Sequence, residues 1–360
     1  MSEKVKGLRS GIVIFTFITV VSLVLIYALA PNKTGKNNFQ ELWLAIKQMK
    51  PMYLFYSLLI ICLSLVVGAY RRQIITRGVN KKIKFWPAMS VLTGYEFISA
   101  ITPFGGGGQP LEVWILKKNG ISVGRGSVIT YMNTASLTLV LFVLGPLALI
   151  IYPQLLSGVT VLSFLIYGSI FPLWFITASI VAIYRPKSAK KVAHSLLRFA
   201  RKIRLLKPEK FNNVLRHTIE EINLFNNFIK SYFSWRRIPL LFYIVLLTVI
   251  SFSLRWCALI TIILAIGIDL SGVNVVQIIL AQMLIMFTNY SVPTPGSSGT
   301  SELMAYHVFE VIFPHNKAAI IMTLWRFFTF HLIFLLSMIP SLKVIHMKDK
   351  EEHKQATDIN

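Results

Sequence analysis

Few residues in this chain carry chemistry, and they sit in unusual company. Arg255 lies some seventeen residues into the apolar run 238–266, and Arg326 interrupts the last apolar run, 318–342, in the stretch TLWRFF. An ionised side chain at that depth is costly, so it faces the interior of a helix bundle and marks a place where something charged is bound or moved. Two carboxylates follow breaks in the chain: Pro103-Phe-Gly-Gly-Gly-Gly-Gln-Pro-Leu-Glu112 and Pro293-Thr-Pro-Gly-Ser-Ser-Gly-Thr-Ser-Glu302. Both stretches begin with proline, end with glutamate and carry small residues between.

Broken backbone inside an apolar segment leaves N–H and C=O groups that only protein or water in a cavity can satisfy. Each break therefore predicts a polar cavity and a new helix start. With Gln109 as N-cap, Pro110 takes the first helical position and Glu112 the third; Gly299, Thr300 and Glu302 fall in the same order. The tip residues Gly106, Gly107, Gln109, Gly296, Ser297, Ser298 and Gly299 are then expected to line the cavity, where free N–H groups and positive helix ends suit an anion such as phosphate. Glu112 and Glu302 either cap these helix starts, pair with an arginine, carry a proton or hold a cationic headgroup. Arg255 either binds substrate or pairs with Glu302 or Glu96. Glu96, in LTGYEFISA, and Asn133, in YMNTAS, add polarity beside the first break, as helix–helix hydrogen bonds or as substrate contacts.

No catalytic residue, metal or cofactor is expected. His307 and His331 lie far apart without an HExxH pattern, and Cys62 and Cys257 read as small buried hydrophobes within apolar runs. The GGGG stretch lacks the lysine of a phosphate-binding NTPase loop, and no Rossmann or serine-elbow pattern occurs.

The elements that must position these residues are membrane helices. Of the 360 residues 55% are apolar and only 14% charged, well below the quarter charged that is usual in soluble domains. Apolar runs at 11–30, 53–70, 127–152, 161–184, 238–266 and 318–342 are long enough to cross ~30 Å of hydrocarbon at 1.5 Å per residue. The first, although preceded by Lys4, Lys6 and Arg9, lacks a cleavage site and reads as a retained helix. The net charge of +23 follows from positive-inside placement and does not call for nucleic acid. With both termini in the cytoplasm, the basic stretches 71–84, 113–126 and 185–237 all fall inside.

Segment 85–112 then leaves and returns to one side, and 274–313 does so from the other. Each is a re-entrant hairpin with a broken tip. The flanking GAYRRQ and FSLRWC pair Arg71 with Arg255. The expected fold is all-α and polytopic, with about six full transmembrane helices plus two re-entrant broken hairpins as an inverted repeat, the arrangement of transporters with a mid-membrane site. The repeats run 53–152 and 238–342 within one transmembrane domain, 1–342. A basic linker, 185–237, holds two amphipathic helices divided at Pro208, with Val192, Leu196, Phe199, Ile203 and Leu206 on one stripe and Phe211, Leu215, Ile222, Phe225 and Ile229 on the other. Residues 343–360 form a polar cytoplasmic tail.

TPFGGGGQPLE, the lone Arg255 in LRW, PTPGSSGTSE and WRFF together resemble the transmembrane region of lysylphosphatidylglycerol synthase, also called multiple peptide resistance factor, or the flippase-like domain family. The resemblance extends over about 10–342. It implies a bacterial plasma-membrane flippase-like transporter that moves a phospholipid, an aminoacylated lipid or a lipid-linked sugar between leaflets; resistance to cationic antimicrobial peptides goes with the alternative reading. The alternative it implies is a share in lysyl-phosphatidylglycerol synthesis with a separate soluble transferase, since the eighteen residues after Leu342 cannot form a synthase domain. Expected partners are membrane lipids with anionic or aminoacylated headgroups, with a homodimer left open.

Overall fold

The computed structural model describes residues 38–155, 159–202 and 208–342, together with scattered positions between 13 and 24. Most of the first apolar run and all of the tail at 343–360 lie outside the described residues, as do Ile203 and Leu206 of the linker.

Every regular element among the described residues is helical. A short helix, α1 (Asn38–Lys47), precedes α2 (Pro51–Arg77), whose proline fits the first helical position because it has no N–H to leave unpaired. The chain continues through α3 (Phe85–Ile101), α4 (Gly108–Lys118), α5 (Val123–Ile151) and α6 (Val159–Tyr184). Then come α7 (Pro186–Lys202), α8 (Pro208–Tyr232), α9 (Ile238–Ala265), α10 (Val275–Asn289), α11 (Thr300–Ile312) and α12 (His315–Arg326). A π turn at Phe327–His331 carries α12 onward, so that the last apolar helix runs to Leu342. Among the described residues four helices are long and apolar enough to cross a membrane: Pro51–Arg77, Val123–Ile151, Trp235–Ala265 and Lys317–Leu342. The protein is a polytopic all-α membrane protein.

The layout follows from which faces can be buried. Helices α2 and α9 pack along each other at the centre of the bundle. On either side stands a hairpin, α3–α4 and α10–α11, and each hairpin leans on the long helix that follows it, α5 or α12. Apolar side chains that have no helix to meet point outward, among them Phe55, Leu59, Phe142 and Ile150, as expected where the solvent is lipid. Cys62 is among the outward-facing residues and Cys257 is half-buried, so the expected small buried hydrophobe is not what either thiol does. Both sit on the central helices at positions turned partly toward lipid, where a thiol substitutes for any small apolar group.

The two amphipathic helices of the linker separate in role. α8 turns Phe211, Ile229 and Tyr232 into the bundle, and the Tyr232 hydroxyl donates to the Ile75 carbonyl. α7 leaves Val192, Leu196 and Phe199 exposed on a helix that also carries Lys187, Lys190, Lys191, Arg198, Arg201 and Lys202. An apolar stripe beneath a basic face suits the headgroup boundary of a bilayer.

The hairpin tips share one backbone path, in a register different from the expected one. Each tip is a single 3-10 turn, Pro103–Gly105 and Pro295–Ser297, and in each the two residues after the proline take left-handed dihedrals: Phe104 and Gly105 at φ 54 and 63, Gly296 and Ser297 at φ 60 and 55. Pro103 therefore matches Pro295, not Pro293. The following helices both begin five residues after that proline, at Gly108 and Thr300. Glu302 is the third residue of α11, as expected, but Glu112 is the fifth of α4, half a turn beyond a capping position. The reason lies in the extra glycines. An added Cβ on Gly107 would meet Ile98 and Thr102 at 2.7 Å, and one on Gly108 would meet Ser99 Oγ at 1.9 Å and the Tyr95 carbonyl at 2.8 Å. The glycines let α4 start early, in contact with α3, and Thr102 Oγ1 accepts the Gly107 N–H at 3.1 Å.

Gly108→Ala is therefore expected to push α4 off α3. Ser99 can rotate away, but the Tyr95 carbonyl cannot, so the variant should lose roughly 1–3 kcal/mol. Thermal unfolding in detergent checks this, and a midpoint equal to the parent's would show that the glycine run is not there for close approach.

Candidate functional site

The two tips touch each other, and among the described residues three ion pairs stand around them, two of them fully buried. In the first hairpin Glu112 on α4 accepts from Arg72 Nε on α2 at 3.2 Å. In the second, Glu302 on α11 accepts from Arg326 Nε on α12 at 2.7 Å. Glu302 uses its other oxygen to accept the Gly299 N–H at 2.6 Å, so it caps α11 and pairs with arginine together. Arg326 Nη2 donates to the Gly296 carbonyl, and its guanidinium lies 3.9 Å from the centroid of Phe330, brought round by the π turn. Between the hairpins Arg255 Nη2 donates to Glu96 Oε1 at 2.9 Å. Of the partners expected for Arg255, Glu96 is the one it takes.

The pairs differ in depth. Arg72–Glu112 and Arg326–Glu302 are closed off, with every side chain at 4% exposure or less. Arg255 and Glu96 keep 14% and 21% of their side-chain surface open, because they line a cavity. That central cavity, of about 190 Å³, is bounded by the tips at Gly105, Gly296 and Ser297, by Tyr95, Glu96 and Asn289, and by Arg255, Arg326 and Phe330. A smaller hollow of about 60 Å³ lies on the other side of the Arg255–Glu96 pair, against Arg71 and Asn133.

The central cavity also continues sideways. Tyr95, Phe104, Gly105 and Tyr290 form a shared wall with a slot of about 480 Å³, lined further by Gly106, Gln109 and the α6 aromatics Phe171, Trp174 and Phe175. Beyond the stacked rings of Tyr131 and Phe175, 5.3 Å apart, the slot meets an apolar groove of about 290 Å³ between α5 and α6. The groove exists because α6 leans on α10 and on the α7–α8 pair more than on α5. Gly168 makes this possible: an added Cβ there would fall 2.2 Å from the ring of Phe287 on α10. Leu139, Phe142, Ile176 and Ile180 border the groove with outward-facing surface.

The structure thus brings Arg255, Glu96, Arg326, Gly296 and Ser297 around one cavity, Asn133 into the hollow behind it, and Gly106 and Gln109 into the slot. Gln109 donates to Thr134 Oγ1 at 3.3 Å. Glu112, Gly107 and Ser298 stand outside these spaces: Glu112 is wholly buried against Arg72, Gly107 packs on α3, and the Ser298 carbonyl accepts from Thr294 Oγ1. Gly299 serves as N-cap of α11, and its N–H is held by Glu302. Sequence reasoning missed Arg71 and Arg72, which it counted among cytoplasmic charges. α2 continues to Arg77, and both arginines are buried inside the bundle. It also missed the α6 aromatics and Tyr290, which look the same in sequence as any lipid-facing ring.

Comparison with known proteins matches most of the chain. The family model for the lysylphosphatidylglycerol synthase TM region matches residues 11–337. A relative described as a UPF0104 membrane protein, from Archaeoglobus fulgidus, is 23% identical over 296 residues, covering 80% of this chain and 85% of its own.

Proposed function

The chain belongs to the lysylphosphatidylglycerol synthase TM region family, and from that membership and the site geometry we propose that it moves a phosphate-bearing lipid between the leaflets of a membrane. The observation that carries this reading is the shape and polarity of the connected spaces. A charged cavity where two broken hairpins meet opens sideways, through an aromatic slot, into an apolar groove that faces lipid. A headgroup fits the first space and an acyl chain the last, so the molecule can cross without drawing its chain through polar surroundings. The two hairpin-plus-helix units, related as an inverted repeat, supply the parts that rock against each other. Arg255 and the tip residues Gly296 and Ser297 face the headgroup, with Glu96 holding Arg255 until it arrives and Arg326 in the cavity wall holding the second tip in place. On the positive-inside bias of its loops we place both termini in the cytoplasm, and on the family resemblance we place the protein in a bacterial plasma membrane.

The test is leaflet-to-leaflet movement of a fluorescent phosphatidylglycerol in proteoliposomes of the purified protein, read by dithionite quenching. Movement above that of protein-free vesicles is expected. Its absence, with a new aminoacylated lipid formed when lysyl-tRNA is added, would instead favour a share in lipid synthesis.

The sideways path has its own test. Ala178 is exposed on α6 and borders the slot, so Ala178→Trp fills that space with little demand on the fold. Overpacking of roughly 1–3 kcal/mol in the occupied state corresponds to a rate about 5- to 150-fold lower. Unchanged movement through the tryptophan variant would show that lipid takes another path.

A further inference from the structure

The buried charges of the bundle do not balance. Among the described residues three arginines, Arg71, Arg72 and Arg326, are buried against two carboxylates, Glu112 and Glu302, with the half-open Arg255–Glu96 pair adding one of each; Arg72 engages Glu112 and Arg326 engages Glu302. Arg71 is the one left over. It is 4% exposed and donates to no carboxylate among the described residues, while the nearby Glu112 is held by Arg72. Its Nη1 donates to Thr248 Oγ1 at 2.9 Å and its Nη2 to Asn133 Oδ1, both neutral acceptors. Its Nε is buried with nothing to donate to, and so is Nε of Arg255. The two guanidiniums flank the same ring, lying 5.9 and 5.3 Å from the centroid of Phe252. Both line the small hollow of about 60 Å³.

We infer that this hollow is a phosphate site, in which Arg71 and Arg255 together hold the phosphate of a mono- or diester. Arg71 and Arg72 share the single carboxylate Glu112, which leaves two buried guanidiniums one negative charge short, so the position calls for an anion. Two guanidiniums lining one small space suit an anion with several acceptor oxygens on one centre, and arginine matches phosphate geometry better than a point charge does. Room is sufficient, since a water-sized group needs roughly 10–15 Å³ of such space and a phosphate has five heavy atoms. The approach runs from the central cavity past Glu96 and Arg255, which border both spaces. The inference rests on the lipid-transport reading only for the source of the phosphate; binding of the anion is measured without transport.

The experiment titrates the full chain, in a zwitterionic detergent, with dihexanoyl phosphatidylglycerol and separately with inorganic phosphate, following the fluorescence of Trp256 and Trp325 beside the cavity. Asn133→Asp keeps the side-chain shape but gives Arg71 the carboxylate it lacks, and it should weaken both ligands at least about tenfold, as loss of a charge-assisted contact does. Arg71→Gln should do the same, and Asn133→Asp remains informative if that variant fails to fold. Tighter binding of the lipid than of phosphate, with both lost in Asn133→Asp, supports a headgroup as the source. Binding of inorganic phosphate alone supports the site but overturns the lipid source. Unchanged affinity in a folded Asn133→Asp protein overturns the inference altogether. If the unaltered protein moves lipid while Asn133→Asp still binds phosphate fully, the transport reading stands and this one falls; the reverse pattern separates them the other way.

Discussion

Arg326→Ala is expected to undo the second hairpin and stop lipid movement altogether. Arg326 holds three things at once: Glu302 through Nε at 2.7 Å, the Gly296 carbonyl through Nη2, and the face of Phe330. Its partner is equally committed, since the second oxygen of Glu302 caps α11 at Gly299. Alanine leaves a carboxylate at 0% exposure without its counter-charge. Breaking such a pair from one side costs about 3–5 kcal/mol, because the remaining ion stays buried. The tip then loses the carbonyl contact that holds Gly296 at its positive φ. Arg326→Lys should rescue poorly, because one ammonium cannot reach two acceptors that the flat guanidinium serves from different edges. Thermal unfolding in detergent and the leaflet assay read the two effects, and a variant that keeps the parent's midpoint and rate would show that the second tip is held by something else. Arg72→Ala, on the matching deep pair of the first hairpin, should destabilise similarly. Arg72 lines only the small hollow, not the central cavity, so its loss acts chiefly on the fold.

This difference between holding the fold and facing the substrate was only partly legible in the sequence. Hydropathy located the long helices, and the prolines and glycines located both tips, because those signals are local. The position of Glu302 at the start of α11 was legible for the same reason: a glycine followed three residues later by glutamate is a cap pattern with a physical cause. Glu112 has the same local look and a different job. Its register depends on how closely Gly107 and Gly108 let α4 approach α3, which is a tertiary fact. Arg71 and Arg72 misled for a related reason. Two arginines after an apolar run look like its cytoplasmic end, and only the packing of α2 against α9 keeps them inside the bundle. The aromatic slot carried no signal at all. Phe171, Trp174 and Phe175 lie on a helix that is apolar all round, where a ring facing a cavity and one facing acyl chains have the same sequence signature.

Arg255 and Glu96 should give the other large effect, and its sign separates a binding site from a structural tie. The pair is open on the cavity side and divides the central space from the hollow beside Arg71. If it only fastened α9 to α3, removing either partner would weaken the protein and every ligand alike, and a double-mutant cycle would assign the loss to stability. If Glu96 instead keeps Arg255 in place until a phosphate displaces it, the two removals differ. Arg255→Ala takes away a ligand contact, so phosphatidylglycerol binding should fall at least about tenfold and leaflet movement with it. Glu96→Gln removes the competing carboxylate while keeping a hydrogen-bond acceptor. Binding should then tighten, while movement slows, because the arginine no longer has a partner to return to when the headgroup leaves. Stability should change less in both than in Arg326→Ala, since neither side chain is fully withdrawn from the cavity. Titration and the leaflet assay on the two variants decide it: equal weakening of binding would reduce the pair to a structural contact, and opposite shifts would make it the point at which the protein exchanges its own carboxylate for the lipid's phosphate.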